Sequence, residues 1–227
     1  MENINKIKKI SIWIFVIPLV ALNVCLILIT NFHGLFAPGD FIHNTIPYFD
    51  GGTSISRTAR VFPTYLIFKP AMFMTAFLLV KYWSLNYGLM EKVDPKLNYK
   101  KSFIFFGIGS AIFLVLHSIF LGIKFDNDLY KLFRRVIILC FIIFEIVAQA
   151  LLVINFYKVR QKIKKLINNK ILNYKIILVS FLFIVAIVSI PIVSSPGHIF
   201  IKHALEWDYF VGVISFYLLT FFLWKKN

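Results

Sequence analysis

Six stretches of apolar residues run along this chain, at 10–30, 63–82, 102–122, 135–157, 174–194 and 206–224, with polar connections between them. Each is about 20 residues long, the length an α-helix needs to cross the hydrocarbon core of a bilayer. Lipid offers the backbone no hydrogen bonds, so spans of this kind are helices. The strands of a membrane barrel are half as long and alternate apolar with polar residues, and these segments do not. The pattern predicts an all-α, single-domain integral membrane bundle of six transmembrane helices over residues 1–227, with a long first loop at residues 31–62. The first segment follows Lys6-Ile7-Lys8-Lys9, as a signal peptide would. Its apolar run is too long for one, and no small-residue cleavage site follows Thr30, so it reads as a retained helix.

Charge assigns the sides. Lys6, Lys8 and Lys9, the second connection (Lys81, Lys92, Lys96, Lys100, Lys101), the fourth (Lys158, Arg160, Lys162, Lys164, Lys165, Lys170, Lys175) and the tail (Lys225, Lys226) hold 17 of the 25 basic residues. Only Glu2, Glu91 and Asp94 oppose them there. The other three connections balance Arg57, Arg60, Lys124, Lys131, Arg134, Arg135 and Lys202 against Asp40, Asp50, Asp126, Asp128, Glu206 and Asp208. Lysine and arginine in short loops collect in the cytoplasm, which predicts N-in and C-in topology and a long first extracytoplasmic loop. The run Lys131-Leu132-Phe133-Arg134-Arg135 is the one basic stretch this topology puts outside.

The net charge of +15 then follows from topology and from attraction to anionic inner-leaflet lipids. No nucleic-acid partner is needed to explain it, and membrane lipids are the expected partners. Cys25 and Cys140 both fall inside spans, so they read as small buried hydrophobes and give no disulfide framework. Richness in Lys, Ile and Phe points to an AT-rich genome, and a bacterial inner membrane is the expected location.

Polar chemistry collects in two places. The first is the outer mouth. Asp50-Gly51-Gly52 is a turn signal in the long loop, because glycine accepts positive φ without steric cost. Arg57 and Arg60 follow, and either suits a carboxylate such as Asp50 or Glu206, or a lipid phosphate, through its bidentate fork. All five histidines fall on this side, at positions 33, 43, 117, 198 and 203. His203 and Glu206 are three apart and share a helix face. His117, His203, Glu206 and Asp208 are candidate acid–base groups, and the first three also form a candidate set of two imidazoles and a carboxylate for a metal. No HxxxH, HExxH or CxxC spacing supports a metal, so none is expected. Glu206 and Asp208 are also the acids that a helix N-terminus favours, if the last helix begins near His203.

The second place is inside the membrane. A charge at the centre of a spanning helix costs roughly 2.5–3.5 kcal/mol, so it normally faces the bundle interior and has a partner. Glu145 lies mid-span in the fourth segment, with Gln149 one turn on, and Lys69 lies in the second, just before Pro70. Their depths differ by about 6 Å at 1.5 Å per residue, which a lysine side chain can bridge. An intramembrane Lys69–Glu145 pair is therefore expected, either as a tie between helices or as a functional polar centre. Gly-x-Ser-x-Gly, P-loop and dinucleotide motifs are missing from the sequence, and no cofactor is expected.

Two stretches carry a resemblance. Pro47-Tyr48-Phe49-Asp50-Gly51-Gly52-Thr53 resembles the Pro-x-Ile-Ser-x-x-Gly stretch after the first helix of the Frag/DRAM/Sfk family of small six-pass membrane proteins. His203-Ala204-Leu205-Glu206-Trp207 resembles that family's acidic-aromatic step at the start of its last helix. The chain departs from the family pattern at Phe125-Asp126-Asn127-Asp128, where a His is common, and at Val61-Phe62-Pro63, where Pro-Glu is common. The resemblance implies the lipid-linked roles associated with that family: remodelling of glycosylphosphatidylinositol anchors, phospholipid asymmetry and autophagy modulation. The leading expectation is a lipid-handling or membrane-homeostasis role with a polar site at the extracytoplasmic mouth. The alternatives are an outer-face hydrolase or transferase using the His and acid residues, and a small-solute carrier built on Lys69 and Glu145.

Overall fold

The structure is a computed structural model that describes residues 2–37, 39–97, 100–123 and 127–225, apart from the side chain of Lys131. Lys124, Phe125, Asp126 and Lys226, which entered the reading above, lie outside the described residues. The helices are α1 (Glu2–Asn31), α2 (Pro47–Asp50), α3 (Ile55–Ala59), α4 (Tyr65–Val93), α5 (Lys100–Phe120), α6 (Asp128–Val159), α7 (Asn169–Ser194) and α8 (Ile199–Leu223), with a 3-10 turn at His33–Leu35. Among the described residues the one β-type pairing is an isolated antiparallel bridge between Ile167 and Trp224.

Six helices, α1 and α4 to α8, are long and apolar enough to cross a membrane, as a multi-pass membrane protein requires. Polar caps start two of them. The side chain of Asn127 accepts the Leu129 N–H ahead of α6, and that of Asn168 accepts the Lys170 N–H ahead of α7. Such caps satisfy donors that the first helical turn leaves open.

Several helices outrun the apolar segments that announce them. α4 continues from the second segment to Val93, and α8 begins at Ile199, seven residues before the expected start. Hydropathy marks the part of a helix that suits hydrocarbon, and the helix continues wherever its backbone bonds continue. Glu206 therefore lies two turns inside α8, and the reading of Glu206 and Asp208 as N-terminal acids loses its basis.

Each long helix packs on the next in the chain, and α8 returns to pack on α1, so the six close a ring. Short connections favour this arrangement of antiparallel neighbours. Apolar side chains such as Trp13, Val20, Phe77, Phe105 and Phe181 face outward, where a bilayer would meet them. Aromatic residues fill the interior, with Tyr82, Trp83, Phe103 and Tyr217 in mutual ring contact. Gly107 makes room for Trp83, since a Cβ there would sit 2.4 Å from the indole.

The connections sort onto the two ends of the ring. At one end Lys162 bridges Asp94 at 2.8 Å, Lys100 bridges Glu91 at 2.5 Å, and Lys8 lies 5.0 Å from the Phe221 ring centroid. Here the tail pairs with the α6–α7 connection through Asn168 N–H to Leu223 O at 2.8 Å and Lys225 N–H to Leu166 O at 3.0 Å. At the other end the first loop folds back over α1 and α8, and Lys69 and Tyr130 close on the end of α5. The strongly basic segments and the mixed-charge segments thus occupy opposite ends.

Candidate functional site

The mouth is built by docking the first loop onto two helices. Ile42 N–H donates to Ile29 O at 3.1 Å, and the Tyr48 hydroxyl to Asn23 Oδ1 at 3.1 Å, which fixes the loop to α1. Trp207 of α8 is fully buried, stacks edge-on against Tyr48, and donates its indole N–H to Thr53 O at 2.9 Å. His203 binds the Gly51 carbonyl through Nδ1 at 2.9 Å, which requires the Nδ1-protonated form because a carbonyl only accepts. Gly51 is left-handed at φ 60, and a Cβ there would collide with the Phe200 carbonyl. Glycine is thus required twice at this position, once for conformation and once for the close approach of α8.

Around this junction lies a shallow open pocket of about 340 Å³, whose lining includes Phe41, His43, Asp50, Gly52, Arg57 and Phe200. Asp50 lines it, but its carboxylate is committed to its own turn. It accepts from the Thr45 hydroxyl at 2.5 Å, Gly52 N–H at 2.8 Å and Ile46 N–H at 2.9 Å. The Thr45 bond first, then the two backbone donors, hold Asp50 below the usual carboxylate range. Arg57 is exposed at the pocket and has no ion pair among the described residues, so the expected Arg57–Asp50 and Arg57–Glu206 bridges are absent. Arg60 is exposed and forms no ion pair among them either; its carbonyl lies against Gly122, between α5 and α6. The backbone N–H groups of Ile55 and Ser56, in the first turn of α3, lie within reach of the Glu206 carboxylate. Asp208 is exposed on α8.

His117 does not join this group. It lies on α5, with Arg134 of α6 as its neighbouring charge, whereas His203 is engaged by the first loop. Among the described residues no three His, Cys, Asp or Glu side chains gather as a set that could hold a metal.

The intramembrane pair also needs correction. Lys69 and Glu145 do not meet among the described residues. Lys69 Nζ donates to the Ile119 carbonyl at 3.3 Å and lies 5.8 Å from the Tyr65 ring centroid. It caps the end of α5, where carbonyls lack helical partners and a cation is favoured. Glu145 is 1% exposed and accepts from three helices: Ser110 of α5 at 2.6 Å, Gln149 of its own α6 at 2.9 Å, and the Tyr217 hydroxyl of α8.

The lysine of the bundle interior is Lys175, which the sequence reading left in the basic connection. It is 0% exposed, donates to Thr220 Oγ1 at 2.5 Å, and sits 3.6 Å from the Phe216 ring centroid. The Tyr82 hydroxyl bonds the same Thr220 oxygen at 3.1 Å, and the Tyr82 ring packs edge-on against Tyr217 at 4.9 Å. Lys175, Thr220, Tyr82, Tyr217 and Glu145 therefore run as a contact chain through the protein, with Ser110 and Gln149 at the acid end. Gln149 spends its second donor bond on Val213 O at 3.2 Å, and its own Oε1 is buried with no partner. A signal for Lys175 was present in the sequence. It shares a helical face with Leu172, Val179 and Leu182, and these are the buried residues of α7.

The arrangement offers two chemistries. The mouth presents a cation, Arg57, with no ion pair among the described residues, beside aromatic surface, suited to an anion with an apolar body. The centre presents a carboxylate and an amine, each enclosed in neutral hydrogen-bonding and aromatic groups, suited to holding or moving a charge. No protein-family model, characterised protein or solved structure matches this chain.

Proposed function

We propose that this is a bacterial inner-membrane protein that handles lipids, with both termini in the cytoplasm and the Arg57 pocket receiving an anionic lipid headgroup on the extracytoplasmic side. One observation carries the reading. Arg57 has no ion pair among the described residues, yet lines a pocket walled by Phe41 and by Phe200, which is 66% exposed. A guanidinium suits a phosphate through its two-pronged donor geometry, and an exposed aromatic rim at a membrane interface suits the start of an acyl chain. The opposite end gathers Lys8, Lys92, Lys100, Lys162 and Lys225 around the connections, which supports its being cytoplasmic. The lipid-linked roles of the Frag/DRAM/Sfk family, which the chain resembles, agree with this assignment.

The test is retention of lipid by the purified full chain, read by native mass spectrometry after equilibration with vesicles of phosphatidylglycerol or of phosphatidylcholine. The proposal expects preferential retention of phosphatidylglycerol, a several-fold loss in Arg57→Gln, and a smaller loss in Arg57→Lys, which keeps the charge but not the fork. Equal retention of both lipids, or an Arg57→Gln protein that keeps its preference, would overturn it. Sidedness is read by impermeant labelling of single cysteines at Phe49 and Lys96, both exposed and expected on opposite faces.

A further inference from the structure

The hydrogen bonds around Glu145 cannot all be made at once. The Ser110 hydroxyl carries one proton but lies within bonding distance of two acceptors, Gly107 O at 2.8 Å and Glu145 Oε2 at 2.6 Å. If Ser110 donates to Glu145, the acid is ionised. If Ser110 donates to Gly107 O, then Glu145 Oε2 must itself carry a proton and donate it to Ser110. Both arrangements fit the same heavy-atom positions, so a proton can be gained at Glu145 by rotation of one hydroxyl. Tyr217 and Gln149 donate to the other oxygen, Oε1, in either state.

The consequence falls on α7. Its buried residues are Leu172, Lys175, Val179 and Leu182, none of them in its last twelve residues. Beyond Leu182, which packs against Gly212, no α7 residue is buried, and Ile187, Val188 and Ile190 are each about 60% exposed. α7 is much the least buried of the six spans, at 11% of its apolar window against 33–39% elsewhere. So one of the few groups seating this helix is an amine, and among the described residues the one buried acid is Glu145, reached from it through Thr220, Tyr82 and Tyr217. The titratable groups facing Glu145 from the helices around it are Tyr217 of α8, Tyr82 of α4 behind it, and Lys175 of α7 behind Thr220; α5 presents Ser110 and α6 presents Gln149. His117 lies two turns outward on α5, beside Arg134.

We infer that Glu145, Ser110 and Tyr217 form a proton-binding site, and that its loading controls the seating of α7 through Lys175. A proton from hydronium adds to Glu145 Oε2 and leaves water behind; the Ser110 hydroxyl turns to Gly107 O and accepts the new Oε2–H, and no other covalent bond is made or broken. The neutral acid no longer offsets a cation at Lys175, and a buried ammonium without a counter-charge favours release of the helix that carries it. Such a site gives the protein a proton-driven movement of one helix, independent of what binds at the mouth.

The experiment uses the full chain in lipid nanodiscs, with Cys25→Ala and Cys140→Ala, and spin labels at Ile187 of α7 and Ile27 of α1. Both labelled positions are exposed, at 64% and 53%. Pulsed electron resonance reads the distance distribution between about pH 5 and pH 9, the range over which carboxyl and imidazole groups are drawn into titration by burial. The expected result is a reversible shift in wild type and the acid-side distribution at every pH in Glu145→Gln, which has the shape of the protonated acid. In Lys175→Met the shift should be lost. Should Glu145→Gln fail to fold, Lys175→Met and Ser110→Ala carry the test, the latter expected to alter the pH response. A distribution that ignores pH overturns the inference. So does a wild-type shift that persists in Lys175→Met, or one that persists in Glu145→Gln and disappears in His117→Gln.

Discussion

Asp50 and Glu145 each accept three hydrogen bonds, but the donors come from different distances along the chain. Those of Asp50 come from Thr45, Ile46 and Gly52, all within five residues, and the carboxylate is exposed at the mouth. Two of Glu145's donors, Ser110 and Tyr217, come from other helices, 35 and 72 residues away, and the carboxylate is buried. The first acid organises a turn, and water supports it wherever the turn does not. The second stands where only the protein can solvate it, so the same number of bonds ties three helices to one group. The cations differ likewise. Arg57 has no ion pair among the described residues and is exposed, whereas Lys175 is enclosed by Thr220, Phe216 and Phe156. A polar group in this bundle is best judged by where its partners come from, not by its charge alone.

Several changes would break or sharpen this contrast. The largest effect is expected at the centre. Glu145→Leu or Lys175→Met removes one buried charged group and strands the other, which typically costs about 3–5 kcal/mol. Thermal unfolding in detergent measures this, and a loss below about 1 kcal/mol in Lys175→Met would mean the amine is not held as a charge. Next comes Tyr217→Phe, which deletes one donor to Glu145 without changing the ring and should cost about 1.5–3 kcal/mol in the same assay. A cost within about 0.5 kcal/mol would mean this bond is not made.

At the mouth the effects are smaller and depend on pH. Asp50 is held below its ordinary value, so the stability it adds is present above an unfolded value of about 4 and is lost as pH falls through its lower folded value. Amide exchange over residues 45–56 should therefore rise on acidification below about pH 4 while the Trp207 region of α8 stays protected. Asp50→Asn should show the faster exchange already at neutral pH and lose the acid step. The smallest effect is expected at Lys69→Met, within about 1 kcal/mol, because Lys69 only caps α5 near the bundle end.

The six spans were legible because length and hydropathy bear directly on whether a helix suits a bilayer. The Asp50-Gly51-Gly52 turn was legible because its bonds are local. The docking of the loop was not, since Trp207 and Thr53 are 154 residues apart and nothing in either stretch names the other. Glu145 stood out as a charge in an apolar run, but its partners are serine, glutamine and tyrosine, which spacing does not distinguish from ordinary helix residues. Lys175 was overlooked because it sits at the boundary of its segment among lysines that serve topology. Reading the helical face in place of the segment edge puts it with Leu172, Val179 and Leu182.

The central claim is that Glu145 is coupled to Lys175 through Thr220, Tyr82 and Tyr217, and not to Lys69. Two double-mutant cycles on thermal stability in detergent test it side by side, one with Glu145→Leu and Lys175→Met, the other with Glu145→Leu and Lys69→Met. The account predicts that the first double mutant loses less than the sum of its singles, with a coupling on the order of 1 kcal/mol or more, and that the second is additive. Additivity in the Lys175 cycle with coupling in the Lys69 cycle would contradict it.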